Sequence, residues 1–168
     1  MTFAARDELT VVALRCGEQV VAIKPVLQAL LLADHVYVDH ATGKRIIVGV
    51  FDFLKTPEFP TQFQRTTFAY CAFTGIRGKI DVIFRYVDLE SNEVLMETIP
   101  IEVRAEDPIT TSDLVTEIPP LPMPHPGVYA LEVHSCDELI GSLRVTVVGP
   151  EAQGDNNDDN GRENGPAS

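Results

Sequence analysis

Between Gln28 and Val148 the sequence is a series of short segments that have the residue pattern of β-strands and are separated by turn-forming clusters. The clearest is residues 79–88, KIDVIFRYVD, in which apolar and polar residues alternate so that one face is apolar. Residues 65–75, RTTFAYCAFTG, are rich in the aromatic and β-branched residues that strands favour. We find no amphipathic helical period of useful length. The sequence therefore predicts an all-β domain.

Seven segments are predicted as strands, and they span residues 28–38, 45–54, 65–75, 79–88, 93–103, 127–133 and 139–148. Seven short strands at this spacing are typical of an antiparallel immunoglobulin-like β-sandwich, which is the predicted fold. Residues 45–54 are apolar on both faces, which predicts a buried central strand. In residues 93–103, Glu97 and Pro100 interrupt the apolar phase and indicate an edge strand or a bulge. DHATGK, after the first strand, predicts a turn in which Gly43 can take a positive φ.

The chain divides into three parts. Residues 25–149 make up the predicted sandwich domain, and residues 1–24 precede it as an extension that is either an extra hairpin or disordered. Residues 150–168 carry five acidic residues and one basic residue, and alanine is their only aliphatic residue. A segment with so little apolar surface cannot offset the entropy lost on ordering, so we predict a disordered acidic tail. This tail is also a candidate for electrostatic binding of a basic partner.

The formal net charge of −12 limits the classes of partner. No cluster of Lys or Arg offsets it, so the surface repels phosphate groups, and we expect no binding to nucleic acid or to membranes. No apolar run reaches the roughly 18 residues that a membrane-spanning helix needs. Residues 24–33, KPVLQALLLA, imitate a signal peptide, but they begin late and lead directly into a predicted strand. We therefore expect a cytoplasmic protein, with secretion as the alternative.

Three cysteines, Cys16, Cys71 and Cys136, are spread along the chain without a CxxC pair. An odd and sparse set of this kind predicts neither a disulfide framework nor a zinc site. We expect three thiols in a reducing compartment, and a Cys71–Cys136 bridge is the alternative. No cofactor and no metal are predicted.

Asp34, His35, Asp39 and His40 form the most suggestive polar group, because His and Asp serve as metal ligands and as acid–base groups. In a strand, however, Asp34 and His40 point to one face while the other two point to the opposite face. The four side chains converge only if the chain turns within the group. We interpret the group as a polar strand end entering a hairpin, where Asp39 or His40 bonds the turn backbone. The four residues stay weak candidates for a binding or catalytic site.

No other motif predicts catalysis. The sequence contains no nucleophile elbow, phosphate loop, HExxH or GxGxxG. Asp52 follows an apolar run and is interpreted as a strand end rather than as a buried catalytic carboxylate. Cys136 lies in a turn and shares with His134 a face that is predicted to be exposed to solvent. We expect no catalytic residue.

Residues 119–126 contain five of the twelve prolines, with a PxxP pattern. Such a run can bind a partner as a polyproline helix, but no basic residue flanks it, and we interpret it as an extended crossover at one end of the sandwich. In the GVYALEV that follows, Gly127, Tyr129 and Leu131 match the spacing of the penultimate immunoglobulin strand, with Leu131 at the position of the usual cysteine. Tyr129 is therefore predicted to donate a hydrogen bond from its hydroxyl to upstream backbone, within the proline run.

Residues 25–52 resemble the opening of an uncharacterised bacterial family, domain of unknown function 6941, through the succession ADHVYVD, ATGK and GVFD. HPGVYALEV and the final LIGSLRVTVV resemble the closing hairpin of that family. The resemblance covers roughly residues 25–149, and it implies a β-sandwich with no assigned activity and no catalytic residues to transfer. Because members of the family begin near Pro25, it also implies that residues 1–24 are an extension or follow from a misplaced start.

These features predict a non-enzymatic β-sandwich that binds an unidentified protein partner or takes part in an assembly. The alternative is a small-ligand or metal-binding protein, or an enzyme, that uses the neighbourhood of Asp34 and His40. A flat and exposed apolar patch would favour the first function, whereas a concave pocket with converging polar groups would favour the second.

Overall fold

The computed structural model describes residues 24–150, which form twelve β-strands and no helix. The strands are β1 (Val26–Val38), β2 (Arg45–Phe51), β3 (Phe53–Lys55), β4 (Thr61–Phe63), β5 (Thr67–Thr74), β6 (Gly78–Asp88), β7 (Glu93–Glu97), β8 (Ile101–Ala105), β9 (Ser112–Ile118), β10 (Leu121–Met123), β11 (Gly127–Ser135) and β12 (Glu138–Val148). The all-β prediction is confirmed. Twelve strands replace the predicted seven because two predicted segments are each split in two, and because β4, β9 and β10 are missing from the sequence prediction.

The strands build two main sheets and a two-stranded sheet of β4 and β10. The first main sheet has the antiparallel order β2-β1-β5-β9. The second has the order β3-β12-β11-β6-β7, in which β3 runs parallel to β12, and β8 pairs with the first part of β6. The chain passes from the first sheet to the second at Asp52, whose carbonyl oxygen accepts the N–H of Thr146 at 2.8 Å. This crossing divides the predicted central strand into β2 and β3.

The core lies between the two main sheets, as in a β-sandwich, because one cluster of buried side chains draws on both. The first sheet contributes Leu32, Ala69, Cys71 and Phe73, and the second contributes Val82, Phe84, Leu131 and Val145. Leu121 and Met123 of β10 belong to the same cluster. The proline run is therefore an extended segment that is built into the fold.

The break between β7 and β8 lies at the predicted irregular position. Glu97 ends β7, and Pro100, which has no N–H to donate, precedes β8. Thr98 between them keeps the chain on β6, because its N–H donates to the Phe84 carbonyl oxygen at 3.0 Å and its hydroxyl oxygen accepts the Phe84 N–H at 3.0 Å. The register of β7 on β6 also shifts at Tyr86. The prediction of an irregular segment here is confirmed.

Cys71 is a free thiol, fully buried on β5. Burial raises the pKa of this thiol to about 12, so it stays protonated at neutral pH. The alternative Cys71–Cys136 bridge is therefore not formed. Cys136 is not a free thiol, so the expectation of three thiols is wrong, and the cytoplasmic location stays a prediction.

Two tyrosines stack in the core, with the rings of Tyr86 and Tyr129 5.2 Å apart and 12° from parallel. The Tyr129 hydroxyl donates to the carbonyl oxygen of His125 at 2.6 Å, which is the hydrogen bond to the proline run that the sequence predicts. The Tyr86 hydroxyl is equally buried, yet it has no hydrogen-bond partner among the described residues. The two hydroxyls therefore differ in what they contribute to stability.

Removing each hydroxyl should change stability in opposite directions. Tyr129→Phe deletes a buried hydrogen bond, so we expect the free energy of unfolding to fall by about 1 kcal/mol. Tyr86→Phe deletes a buried hydroxyl that has no partner, so we expect the free energy of unfolding to rise by about 1 kcal/mol. Chemical denaturation of the two variants checks this, and a larger loss for Tyr86→Phe than for Tyr129→Phe would contradict it.

Candidate functional site

β2 is an edge strand of the first sheet, and β1 is its pairing partner among the described residues. The prediction of a buried central strand is therefore wrong for this segment. On one face, Ile47 and Phe51 are partly buried. On the other face, Ile46, Val48 and Val50 are 51%, 46% and 54% exposed. An apolar run does not distinguish a strand between two neighbours from a strand whose outer side is still open.

The exposed face of β2 continues onto β1. Tyr37 lies opposite Ile46 and His35 lies opposite Val48, so these side chains point to the same side of the sheet. The His35 ring lies 5.8 Å from the Tyr37 ring and 6.4 Å from the ring of Phe68 on β5. We call this surface the hairpin patch, and it consists of His35, Tyr37, Ile46, Val48 and Val50.

Gly49 is required by its position within this hairpin. The register of β2 on β1 is the same before and after Gly49, which places Gly49 opposite Asp34, although these two residues do not form a ladder pair. Gly49 has a φ of +70°, in the left-handed region that side chains rarely adopt. A Cβ atom at this position would lie 2.3 Å from Oδ2 of Asp34. The Asp34 carboxylate therefore occupies the space beside Gly49 on the inner face of the hairpin.

The first residue of β2 is held by the opposite edge of the sheet. Nε of Arg45 lies 3.6 Å from Oδ2 of Asp113 on β9, and the Tyr70 hydroxyl donates to Oδ1 of Asp113 at 3.1 Å. β2 and β9 are the two edges of the four-stranded sheet, so this ion pair joins one edge of the sheet to the other. The hairpin patch therefore lies on a strand that is anchored at its beginning.

Asp39 closes the turn between β1 and β2. Its carboxylate accepts the Thr42 hydroxyl and the Ala41 N–H, the latter at 3.0 Å, and these hydrogen bonds lower the pKa of Asp39. Its carbonyl oxygen accepts the N–H of Gly43, which has a φ of +70°, at 2.7 Å. All of these contacts lie within the turn, so Asp39 has a structural role in the hairpin.

The other candidate residues of this region do not converge. Asp34 lies on the inner face, His35 lies on the outer face, and His40 is exposed in the turn. No group of three or more His, Cys, Asp or Glu residues that could hold a metal ion occurs between residues 24 and 150. Asp34 alone among them borders a cleft, of about 450 Å³, together with Phe63 and Arg65. The four candidates therefore do not assemble one site.

A second polar cluster, which the sequence reasoning missed, joins the proline run to the β6–β7 turn. Nε2 of His125 lies 2.9 Å from Oδ2 of Asp88, and its Nδ1 lies 3.0 Å from the carbonyl oxygen of Pro126. Asp88 is only 3% exposed, and its carboxylate also accepts the Glu90 N–H and the Ser91 hydroxyl, both at 2.9 Å. His125 and Asp88 lie 37 positions apart, so no local pattern signals their contact.

This cluster makes stability depend on pH. The carbonyl oxygen of Pro126 and the carboxylate of Asp88 both accept from a protonated imidazole, which raises the pKa of His125 above its usual 6.5, and the Glu90 carboxylate acts in the same direction. Hydrogen bonds from the Glu90 N–H, Ser91 and His125 lower the pKa of Asp88 below its usual 3.8. The stabilisation that protonated His125 gives the fold is complete when the pH is below the usual pKa of histidine, and it is lost as the pH rises through the raised pKa. The stabilisation that ionised Asp88 gives the fold is complete when the pH is above the usual pKa of aspartate, and it is lost as the pH falls through the lowered pKa.

We therefore expect His125→Gln to lower the unfolding temperature more at about pH 5.5 than at about pH 8.5. At the lower pH the wild-type imidazole is charged and bonded to Asp88, and it loses this charge as the pH rises through its raised pKa. Thermal unfolding of the two proteins across this range measures the difference. A difference that does not change with pH would mean that the ion pair contributes nothing.

The sandwich and its closing hairpin are the part of the chain that a family model recognises. The model of a family of unknown function, DUF6941, matches residues 28–148, a range that runs from β1 to the end of β12. The chain belongs to this family. The resemblance of the sequence to this family is thereby confirmed, and so is the expectation that the family assigns no activity. No curated protein matches the sequence. In this DUF6941 protein, none of the described residues form a helix long and apolar enough to cross a membrane.

Proposed function

We propose that this DUF6941 protein is a non-enzymatic interaction module that binds another protein chain through the hairpin patch. The observation that carries the proposal is that β2 has the composition of a central strand but the position of an edge strand. Its outward-facing Ile46, Val48 and Val50 are about half exposed. An apolar surface on an open sheet edge is the arrangement that accepts an added strand from a partner.

The other edge strands support this reading by contrast. Edge strands are usually protected from unwanted pairing by charged side chains. β9 carries Asp113 and Glu117, and β7 begins and ends with glutamate. β2 has no charged residue after Arg45. The edge that lacks protection is therefore the edge that we propose to be used.

A non-enzymatic role is supported by the separation of the polar candidates. Asp39 is engaged in its own turn, and Asp34 and His35 lie on opposite faces of β1. A catalytic or metal-binding function needs such groups to converge on one cavity.

The cytoplasm stays the proposed location.

We further propose that the sandwich is of the immunoglobulin-like type. The β11–β12 hairpin, flanked by β6 on one side and by the parallel β3 on the other, supports this. The hydrogen bond from Tyr129 to the backbone four residues upstream is a second support, since immunoglobulin-like domains have such a tyrosine corner.

The test is affinity purification of the full chain from its native host, followed by identification of the proteins that remain bound. Three forms are compared: wild type, Val48→Glu and Val94→Glu. Val48→Glu places a charge in the hairpin patch, and Val94→Glu places the same charge at a similarly exposed valine of edge strand β7, 47% against 46% exposed. We expect wild type and Val94→Glu to retain a common protein that Val48→Glu loses. Recovery of no protein at any salt concentration, or equal recovery by all three forms, would contradict the proposal. Loss of that protein on deletion of residues 151–168, with steep weakening by salt, would instead indicate binding through the acidic tail.

A further inference from the structure

A cleft of about 450 Å³ lies where the chain leaves β2 and enters β3, and we call it the β2–β3 cleft. Three aromatic side chains line it: Phe51 ends β2, Phe53 begins β3 and Phe63 ends β4. The rings of Phe51 and Phe63 lie 5.5 Å apart at an angle of 57°. Sites for small molecules have volumes of roughly 300 to 1,000 Å³, so the cleft is large enough for a ligand with an apolar part.

Two groups of opposite charge also line the β2–β3 cleft, the carboxylate of Asp34 and the guanidinium of Arg65. The pairing of Ala33 with Phe68 places the chain that leads into β5 beside Asp34. The two groups do not form an ion pair with each other, and within residues 24–150 neither side chain has a hydrogen-bond or ion-pair partner. The cleft therefore presents a carboxylate and a guanidinium that are both available to a ligand.

Both residues are supported by the fold. Asp34 is half-buried, and its carboxylate lies in the space that a side chain at Gly49 would fill, since a Cβ atom there would be 2.8 Å from Cγ of Asp34. The carbonyl oxygen of Arg65 accepts the hydroxyl of Thr67 at 3.1 Å, and Thr67 is buried. The Asp34 carboxylate and the backbone of Arg65 are therefore in place before a ligand binds, which lowers the entropy cost of binding.

We propose that the β2–β3 cleft binds a free amino acid with an apolar or aromatic side chain, in its zwitterionic form. The ammonium group of the ligand meets Asp34, and its carboxylate meets Arg65. Its side chain packs on the rings of Phe51 and Phe63. The inference goes beyond the proposed function and does not rest on it, because neither Asp34 nor Arg65 belongs to the hairpin patch.

Ligands with a single charge, or with none, fit the cleft less well. A simple cation is repelled by Arg65, and a simple anion is repelled by Asp34 and by the formal net charge of −12. A neutral ligand would cover both charges without pairing either of them, and removing an unpaired charge from water is costly. A zwitterion pairs with both charges.

The test is isothermal titration calorimetry of the full chain with three probes. L-Phenylalanine has both charges, phenethylamine lacks the carboxylate and 3-phenylpropionate lacks the ammonium group. We expect saturable binding of phenylalanine, and a dissociation constant at least about tenfold higher for each of the other two, because each leaves one charged side chain unpaired.

Two substitutions assign each charge of the ligand to its residue. Asp34→Asn and Arg65→Gln should each raise the dissociation constant for phenylalanine about tenfold. Arg65→Gln should also lose the preference for phenylalanine over phenethylamine, whereas Asp34→Asn should lose the preference over 3-phenylpropionate. A purely structural effect would not change these two preferences separately. The matched control is Arg77→Gln, at an exposed arginine outside the cleft, and it should bind phenylalanine as wild type does.

Several results would overturn this inference. Wild type that shows no saturable binding of phenylalanine up to about 10 mM would do so, as would equal affinity for the three probes or equal weakening by all three substitutions. N-acetyl-phenylalanine amide that binds as tightly as phenylalanine would show that the cleft accepts a side chain of a polypeptide instead. Arg65 is exposed, so Arg65→Gln keeps the test decisive if Asp34→Asn fails to fold. None of these outcomes bears on the capture of a protein by the hairpin patch, which Val48→Glu tests.

Discussion

Replacement of Leu131 with alanine is expected to lower the free energy of unfolding by about 2 to 5 kcal/mol. Leu131 is fully buried on β11, the strand that lies between β12 and β6 in the second sheet. Leu143 on one side and Tyr86 on the other lie directly opposite it. Neighbours held in two strands cannot move far enough to fill the space left by the deleted methyl groups, so the loss of apolar burial is joined by the cost of a cavity.

The measurement is urea denaturation of Leu131→Ala with Val128→Ala as the matched control. Val128 lies on the same strand but is 41% exposed. We therefore expect Val128→Ala to lower the free energy of unfolding by only about 0.5 kcal/mol, well under the loss for Leu131→Ala. An equal loss in the two variants would show that β11 is sensitive to any truncation. A loss at Leu131 of less than about 1 kcal/mol would contradict its position at the centre of the core.

The sequence predicts best where a strand has one apolar and one polar face. Residues 79–88 alternate cleanly, and they form β6 with the predicted face inside, where Val82, Phe84 and Tyr86 are fully buried. Tyr129 could likewise be predicted, because its partner lies only four residues away along the chain. In both cases the information is local, which is the kind of information that a pattern of residues contains.

The prediction fails where the structure depends on what lies beside a segment. Residues 45–54 are apolar throughout, and nothing in the pattern reveals that the chain changes sheets at Asp52 or that β2 is an edge. β9 is missing from the predicted strands, because Asp113 and Glu117 interrupt a strand whose inner side chains are only partly apolar. His125 and Asp88 meet through the packing of distant strands, so their contact follows from the fold and not from spacing.

The error at β2 and the proposed function have the same physical origin. The residues of β2 are suited to burial on both faces, as they would be in the middle of a sheet. Among residues 24–150 that condition is met on one face only. A partner chain packed on the hairpin patch would cover the exposed face, and the segment would then have the environment that its sequence predicts. The incorrect prediction for the single chain is thus the observation that supports an assembly.

Replacement of Gly49 with alanine is expected to lower the free energy of unfolding by about 2 to 4 kcal/mol. Part of this loss, about 1 to 2 kcal/mol, comes from placing a Cβ atom on a backbone with a φ of +70°. The rest comes from Asp34, whose Oδ2, Cγ and Cβ atoms would lie 2.3, 2.8 and 3.0 Å from the new Cβ. Asp34 is a short side chain on a paired strand, so it cannot move away without disturbing the hairpin.

Two comparisons separate the backbone cost from the collision. Gly43 also has a φ of +70°, but a Cβ atom there would meet nothing within 4 Å, so Gly43→Ala should show the backbone cost alone. In a double-mutant cycle, Asp34→Ala should reduce the cost of Gly49→Ala by removing the two closest atoms, whereas Asp34→Asn keeps the same shape and should not. Chemical denaturation measures each corner of the cycle. Equal losses of unfolding free energy for Gly43→Ala and Gly49→Ala would show that Asp34 moves aside to make room for the new Cβ atom. The collision argument for Gly49 would then be wrong.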